Sequence, residues 1–177
     1  MDTPLTSELE KFWKWASMTP VEYASNKKNG EWETDYPFWE NIYTYVEEEI
    51  KRIEDGGSLV LIQCILEAMA LDNECENILD LVELNEKVSR VIIFHYYDYQ
   101  QPEARWQIAE LAKRTAFQGA VDILEKMLLN DDNSYVRRRV LLSLDELSHD
   151  KAKECAKFVI DAGDECLKKI CMGILNQ

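Results

Sequence analysis

Glycine and proline are scarce in this sequence, with 6 and 4 among 177 residues. Strand-rich folds need these residues for their many tight turns, so a β-sandwich or barrel is excluded and helices are favoured. Histidine is scarcer still: His95 and His149 offer little for general acid–base chemistry. His95 lies among Phe94, Tyr96 and Tyr97 and reads as a packed side chain, while His149 stands at the expected start of a helix. Long apolar runs are lacking, and stretches such as 59–62 fall far short of the roughly 20 residues that span a bilayer. A basic segment leading into an apolar one is also missing from the first residues, so the expectation is a cytoplasmic protein with no membrane partner.

Positive charge is in deficit. The chain has 34 acidic and 20 basic residues, a formal charge of −14 and a pI near 4.6, so phosphate backbones and anionic lipid repel it. Nucleic acid is therefore a poor partner. Residues 1–57 hold 13 acids and 6 bases, 58–100 hold 8 and 2, and 101–177 hold 13 and 12, which places the acidity in the first hundred residues. The five cysteines (Cys64, Cys75, Cys155, Cys166 and Cys171) are odd in number and form no CxxC pair, as expected of reduced thiols packed like small apolar side chains.

Motifs with chemistry are missing too. The sequence has no P-loop, GxGxxG, GxSxG or HExxH. Cys166 and Cys171 have no second pair or nearby histidine to complete a tetrahedral metal site. The runs Glu47-Glu48-Glu49 and Asp131-Asp132 lack the spacing and glycine of a calcium loop. No cofactor, no metal and no catalytic residue is expected.

What the chain does have is helical patterning. With 46% apolar residues it is long enough to bury roughly 68–70% of its unfolded surface without staples. Residues 58–71 follow Gly56 and Gly57, with Ser58 as N-cap and apolar side chains on nearly every face, so they predict a buried helix. Further helices are expected near 74–84, 86–98, 102–115, 117–129, 134–147, 149–162 and 164–175. The β-branched and aromatic stretch Val88–Tyr99 has strand propensity, but its place among helices favours a helix. Pro102 suits a first helical turn.

The later helices repeat. Ala104-Arg105, Val136-Arg137 and Leu167-Lys168 are 32 and 31 residues apart; Ile108, Val140 and Cys171 follow four positions on, and Leu111, Leu144 and Leu175 close the stripe. Such a period of two helices signals a solenoid, in which each pair buries its apolar face on its neighbours. The segment NDDNSYVRRRVLLSLDEL (130–147) resembles the first helix of a HEAT repeat, with weaker copies at 101–129 and 164–177. The resemblance implies an all-α fold: a short right-handed α-solenoid of HEAT-like antiparallel helix pairs over residues 58–177. It also implies that Arg137 pairs with a carboxylate of a neighbouring repeat.

Residues 1–57 do not share the period. They hold Trp13, Trp15, Trp32 and Trp39, then the acidic stretch 29–42 and a helix near 38–53, and read as an aromatic, acidic capping segment that would cover an exposed repeat core. Within it Trp32, Tyr36, Trp39 and Tyr43 lie amid Glu31, Glu33, Asp35, Glu40 and Glu47. Aromatic side chains in a charged rim are the composition of a protein interface, so these nine residues are the candidate partner-binding site.

The first functional expectation is a non-catalytic binding protein whose acidic surface holds a basic protein. Bacterial immunity proteins that occlude toxin or nuclease domains are similar in layout: small, acidic and sometimes HEAT-like. The competing expectation is a HEAT-like DNA alkyl-base glycosylase, with Trp106 near Arg105 and Asp98 or Glu110 as carboxylate; those enzymes use a strongly positive face, which a charge of −14 does not supply. A general scaffold is the third. Steps of about 100° scatter Arg137, Arg138 and Arg139 around a helix, so at most one or two of them can line a phosphate groove, and pairing of Arg137 with a carboxylate is the favoured reading over phosphate binding.

Overall fold

A computed structural model describes residues 3–25, 31–161 and 164–177, so the first two residues of the acidic stretch at 29–42, and residue 162 of the helix expected at 149–162, lie outside it. All regular structure among the described residues is helical. The helices are α1 (Pro4–Ala16), α2 (Pro20–Ser25), α3 (Trp39–Glu54), α4 (Ile62–Leu71), α5 (Asn77–Glu83), α6 (Glu86–His95), α7 (Pro102–Thr115), α8 (Ala120–Asn130), α9 (Ser134–Leu147), α10 (His149–Val159) and α11 (Glu165–Leu175). Two 3₁₀ turns, Trp32–Asp35 and Leu59–Leu61, precede α3 and α4.

The chain divides into two units, residues 1–88 and 89–177, with the division inside α6. In the first unit α1 packs on α3 and α4, and α3 packs on α4 and α5. The spacing of Leu5, Leu9 and Phe12 places them on one face of α1, and Ile42, Val46 and Ile53 share a face of α3; all six are fully buried or nearly so. α1 starts on a Thr3–Thr6 capping box behind Pro4. α3 stops where Gly56 takes φ +97° and the Gly57 N–H donates to the Arg52 carbonyl at 2.8 Å. A Cβ on Gly57 would come within 2.6 Å of that carbonyl oxygen, so the turn needs glycine at both positions. The expected helix at 58–71 begins instead as a 3₁₀ turn, with Ser58 Oγ accepting from the Val60 N–H, and α4 follows from Ile62.

In the second unit α7 packs on α8 and α9, α9 on α8, α10 and α11, and α10 on α8 and α11. The repeated stripe lies inside: Ala104, Ile108 and Leu111 on α7, Val136, Val140 and Leu144 on α9, and Leu167 and Cys171 on α11 are all buried, while at the last position Ile174 is buried and Leu175 half-buried. Asn133 caps α9 and Asp164 caps α11 through side-chain oxygens that accept N–H bonds. α6 ends at His95, short of Tyr99. Val88, Ile92 and Ile93, buried at helical spacing, override the strand propensity, whereas His95 itself is exposed.

Candidate protein-binding face on the acidic unit

Residues 1–88 hold 20 acidic and 7 basic side chains, a formal charge of −13, and residues 89–177 hold 14 and 13, a charge of −1. The negative field therefore belongs to the first unit.

Its interior is a cluster of rings around Phe12. The Tyr36, Trp13, Trp15, Trp39 and Trp32 centroids lie 5.0, 5.2, 5.6, 5.9 and 6.1 Å from that of Phe12, mostly edge-on or tilted, the geometry that ring quadrupoles favour. Polar ring atoms that would be costly to bury are met by oxygens of acidic residues. Tyr36 OH donates to Glu8 Oε1 at 2.8 Å, Trp39 Nε1 to the Glu33 carbonyl at 2.8 Å, Trp13 Nε1 to Glu67 Oε1 at 2.6 Å and Tyr43 OH to Asp72 Oδ1 at 2.9 Å. Burial, with the facing carboxylates, pushes the Tyr23, Tyr36 and Tyr43 hydroxyls above their ordinary range, so they remain donors.

The nine candidate residues divide by burial. Glu33 and Tyr36 belong to the core: Glu33 is hydrogen-bonded by Tyr23, and Tyr36 is seated in the ring cluster. Trp32 is half-buried and stacks on Trp15 at 6.0 Å and 23°. Glu31 and Asp35 are exposed at the two ends of the 3₁₀ turn. The remaining four lie on α3, where Trp39 and Tyr43 are half-exposed and stacked at 5.5 Å and 19°, with Glu40 and Glu47 exposed on either side. Steps of three and four residues (40, 43, 47) keep them on one helix face. Asp72 holds that face in place: Oδ1 accepts from Tyr43 OH and Oδ2 from the Ile78 N–H at 2.8 Å, joining α3 to the start of α5. Burial raises the Asp72 carboxyl to about 6, against the lowering pull of these hydrogen bonds.

Further along α3 the face runs into a groove of about 300 Å³ lined by Glu47, Ile50, Lys51 and Glu54 of α3 together with Leu81, Leu84 and Asn85. Leu84 is 86% exposed. In the sequence Leu84 is marked only as an apolar residue just beyond the last turn of α5, off the buried stripe of Ile78, Leu79 and Val82.

The residues of the glycosylase alternative are occupied otherwise. Trp106 is 5% exposed, with the Arg139 guanidinium 4.7 Å above its ring and Tyr135 against its edge; a base has no free face to stack on. Burial alone would raise Glu110, but hydrogen bonds from Lys113 and Arg114 and the nearby charge of Arg139 outweigh it and hold the carboxyl below its ordinary value. Arg105 forks onto Asp131, Nε to Oδ2 at 2.6 Å and Nη2 to Oδ1 at 2.9 Å. Arg105 thus ties the start of α7 to the end of α8, and Arg137 Nε donates to the Leu128 carbonyl at 3.2 Å. Asp98 is exposed at a small cavity beside Arg105. Among the described residues no acidic, histidine or cysteine cluster is arranged to hold a metal ion, and no helix is long and apolar enough to cross a membrane.

No protein-family model matches the sequence, and no curated protein matches it.

Proposed function

We propose that the chain is a non-catalytic binding protein that grips a basic protein through the acidic face of residues 1–88. The observation that carries this reading is the Trp39–Tyr43 stack, half-exposed between Glu40 and Glu47 on a unit of charge −13. Aromatic anchors supply contact area and the surrounding carboxylates supply steering and selectivity, the division of labour found at hot-spot interfaces. The finer reading is an immunity-type inhibitor whose acids take the place of phosphates on a toxin or nuclease domain. For the second unit we propose a HEAT-like right-handed α-solenoid. Its support is the 31–32-residue spacing of equivalent buried positions, together with packing of each helix from α7 to α9 on both the next helix and the next but one.

Affinity capture from the native lysate, run with the wild-type chain and with Glu40→Lys/Glu47→Lys, tests the binding reading. The expected result is a basic protein retained by the wild type, weakened by added salt and lost from the double variant. Capture of no basic protein, or capture indifferent to both charge reversals, refutes it. A low-salt DNA titration separates the glycosylase alternative, which requires a salt-dependent affinity.

A further inference from the structure

A cleft of about 540 Å³ opens between α1, the Met18–Thr19 connection, the start of α2, and α4. That volume lies within the roughly 300–1,000 Å³ of small-molecule sites. Leu9, Trp13, Met18 and Pro20 make its apolar wall, and Glu67 of α4 supplies a carboxylate there. Glu67 is the one charged side chain of the apolar stretch 58–71. Its Oε1 accepts from Trp13 Nε1, and no described cation pairs with it. The other two charges of the cleft, Glu10 and Lys14, are exposed and face each other at 3.9 Å, so among the described residues no cation is bonded to Glu67.

We propose that this cleft binds an organic ammonium ion carried on an apolar stem, with Glu67 as its counter-ion and Leu9, Trp13, Met18 and Pro20 as the wall against which the stem packs. An anion would meet the carboxylate of Glu67 where burial weakens its screening by water. A neutral ligand of the same shape would bury the carboxylate further and return no charge to it, which is the more costly outcome. An ammonium group reverses that cost, and a stem of aryl or alkyl carbon gains from leaving water. Burial raises the Glu67 carboxyl above its ordinary value, in keeping with an ionised form that lacks a partner. This inference concerns a different surface from the α3 face and stands whether or not that face binds a protein.

The test follows the Trp13 indole N–H resonance in ¹H–¹⁵N spectra, assigned with Trp13→Phe, because that proton lies in the bond to Glu67. The probes are 2-phenylethylammonium, its neutral counterpart 2-phenylethanol, and Nα-acetyl-lysine-N-methylamide. Saturable shifts by an ammonium probe are expected, with 2-phenylethanol binding at least about tenfold more weakly. Saturation by phenylethylammonium alone assigns the cleft to a free amine, and saturation by the lysine amide as well assigns it to a side chain of a bound protein. Glu67→Gln keeps an acceptor for Trp13, so thermal unfolding should still report a folded chain while the preference for ammonium over alcohol disappears. The proposal is overturned by amine and alcohol binding alike, by an unchanged preference in Glu67→Gln, or by no saturable shift with either ammonium probe.

Discussion

Asp72 offers an unusual handle on stability, because its buried carboxyl runs against the trend of most native carboxylates. It is 2% exposed, its pKa is raised from 3.8 to about 6, and it accepts from Tyr43 OH and the Ile78 N–H. A folded-state value above the unfolded one means that the native state binds the proton more tightly. The contribution is therefore fully present below pH 3.8 and lost as pH rises through 6. A shift of about two units corresponds to about 3 kcal/mol, and integrating the titration puts about 2 kcal/mol of it between pH 7.5 and 4.5. Asp72→Asn cannot titrate. Urea unfolding of wild type and Asp72→Asn at both pH values isolates this group, since every other carboxyl titrates in both proteins. Tryptophan fluorescence is a suitable probe, because four of the five tryptophans belong to residues 1–88. On lowering the pH, the wild type should gain about 2 kcal/mol relative to the variant. Parallel pH profiles, or a wild type that loses stability relative to the variant, would show that Asp72 is not held at a raised pKa.

Three further outcomes follow from particular contacts. Phe12→Ala empties the centre of the ring cluster, where five rings pack on a fully buried side chain; a loss of about 3–5 kcal/mol in the fluorescence-detected urea transition is expected. Arg105→Lys retains the charge but not the fork onto Asp131 and the Tyr99 and Gln100 carbonyls, and should cost about 1.5–3 kcal/mol in unfolding followed by circular dichroism. Glu40→Lys/Glu47→Lys should change stability by no more than about 0.5 kcal/mol, since both side chains are exposed; a larger loss would make the capture experiment uninterpretable as a surface effect.

The helices of the second unit were legible because two independent signals coincided there. Apolar positions recur at helical spacing in three registers, and start signals sit where the helices begin: Pro102 in the first turn of α7, Asn133 at the cap of α9 and Asp164 at the cap of α11. In the first unit the signals conflict. The aromatic side chains of α1 obscured an ordinary amphipathic stripe of Leu5, Leu9 and Phe12, so α1 and α2 were not anticipated. The candidate site was legible in composition but not in detail. Glu33 and Glu31 are the same residue type two positions apart, yet one turn of 3₁₀ helix buries the first against Tyr23 and leaves the second in water. No local rule separates them, because burial is decided by rings contributed from α1, α2 and α3. Glu67 was legible in principle as a lone charge in an apolar helix, but the cleft beside it depends on where α1 ends and α2 begins.

The two units differ in how acids that link separate elements are satisfied. In residues 89–177 carboxylates meet cations across helices: Asp131 with Arg105, Glu110 with Arg139, Glu125 with Lys151 and Asp164 with Arg138. In residues 1–88 the buried Glu8 and Glu49 pair with Lys11 and Arg52 of their own helices, but the acids that tie separate elements together are met by neutral donors, Glu67 by an indole, Asp72 by a phenol and a backbone N–H, and Glu33 by Tyr23. A neutral donor satisfies an oxygen without cancelling its charge, and with 20 acids against 7 bases the first unit carries a field of −13 that works against its own compactness. Salt should therefore act oppositely on the two halves. Raising ionic strength from about 0.01 M to 0.15 M shortens the screening length from about 30 Å to 8 Å, which relieves self-repulsion in the first unit and weakens the exposed pairs of the second. The fluorescence midpoint, carried mainly by the first unit, should rise with sodium chloride, while exchange of amides in α9 and α10 should hold steady or quicken. A fluorescence midpoint that falls with salt would mean that ion pairs, rather than hydrogen bonds from neutral donors, hold the acidic unit together.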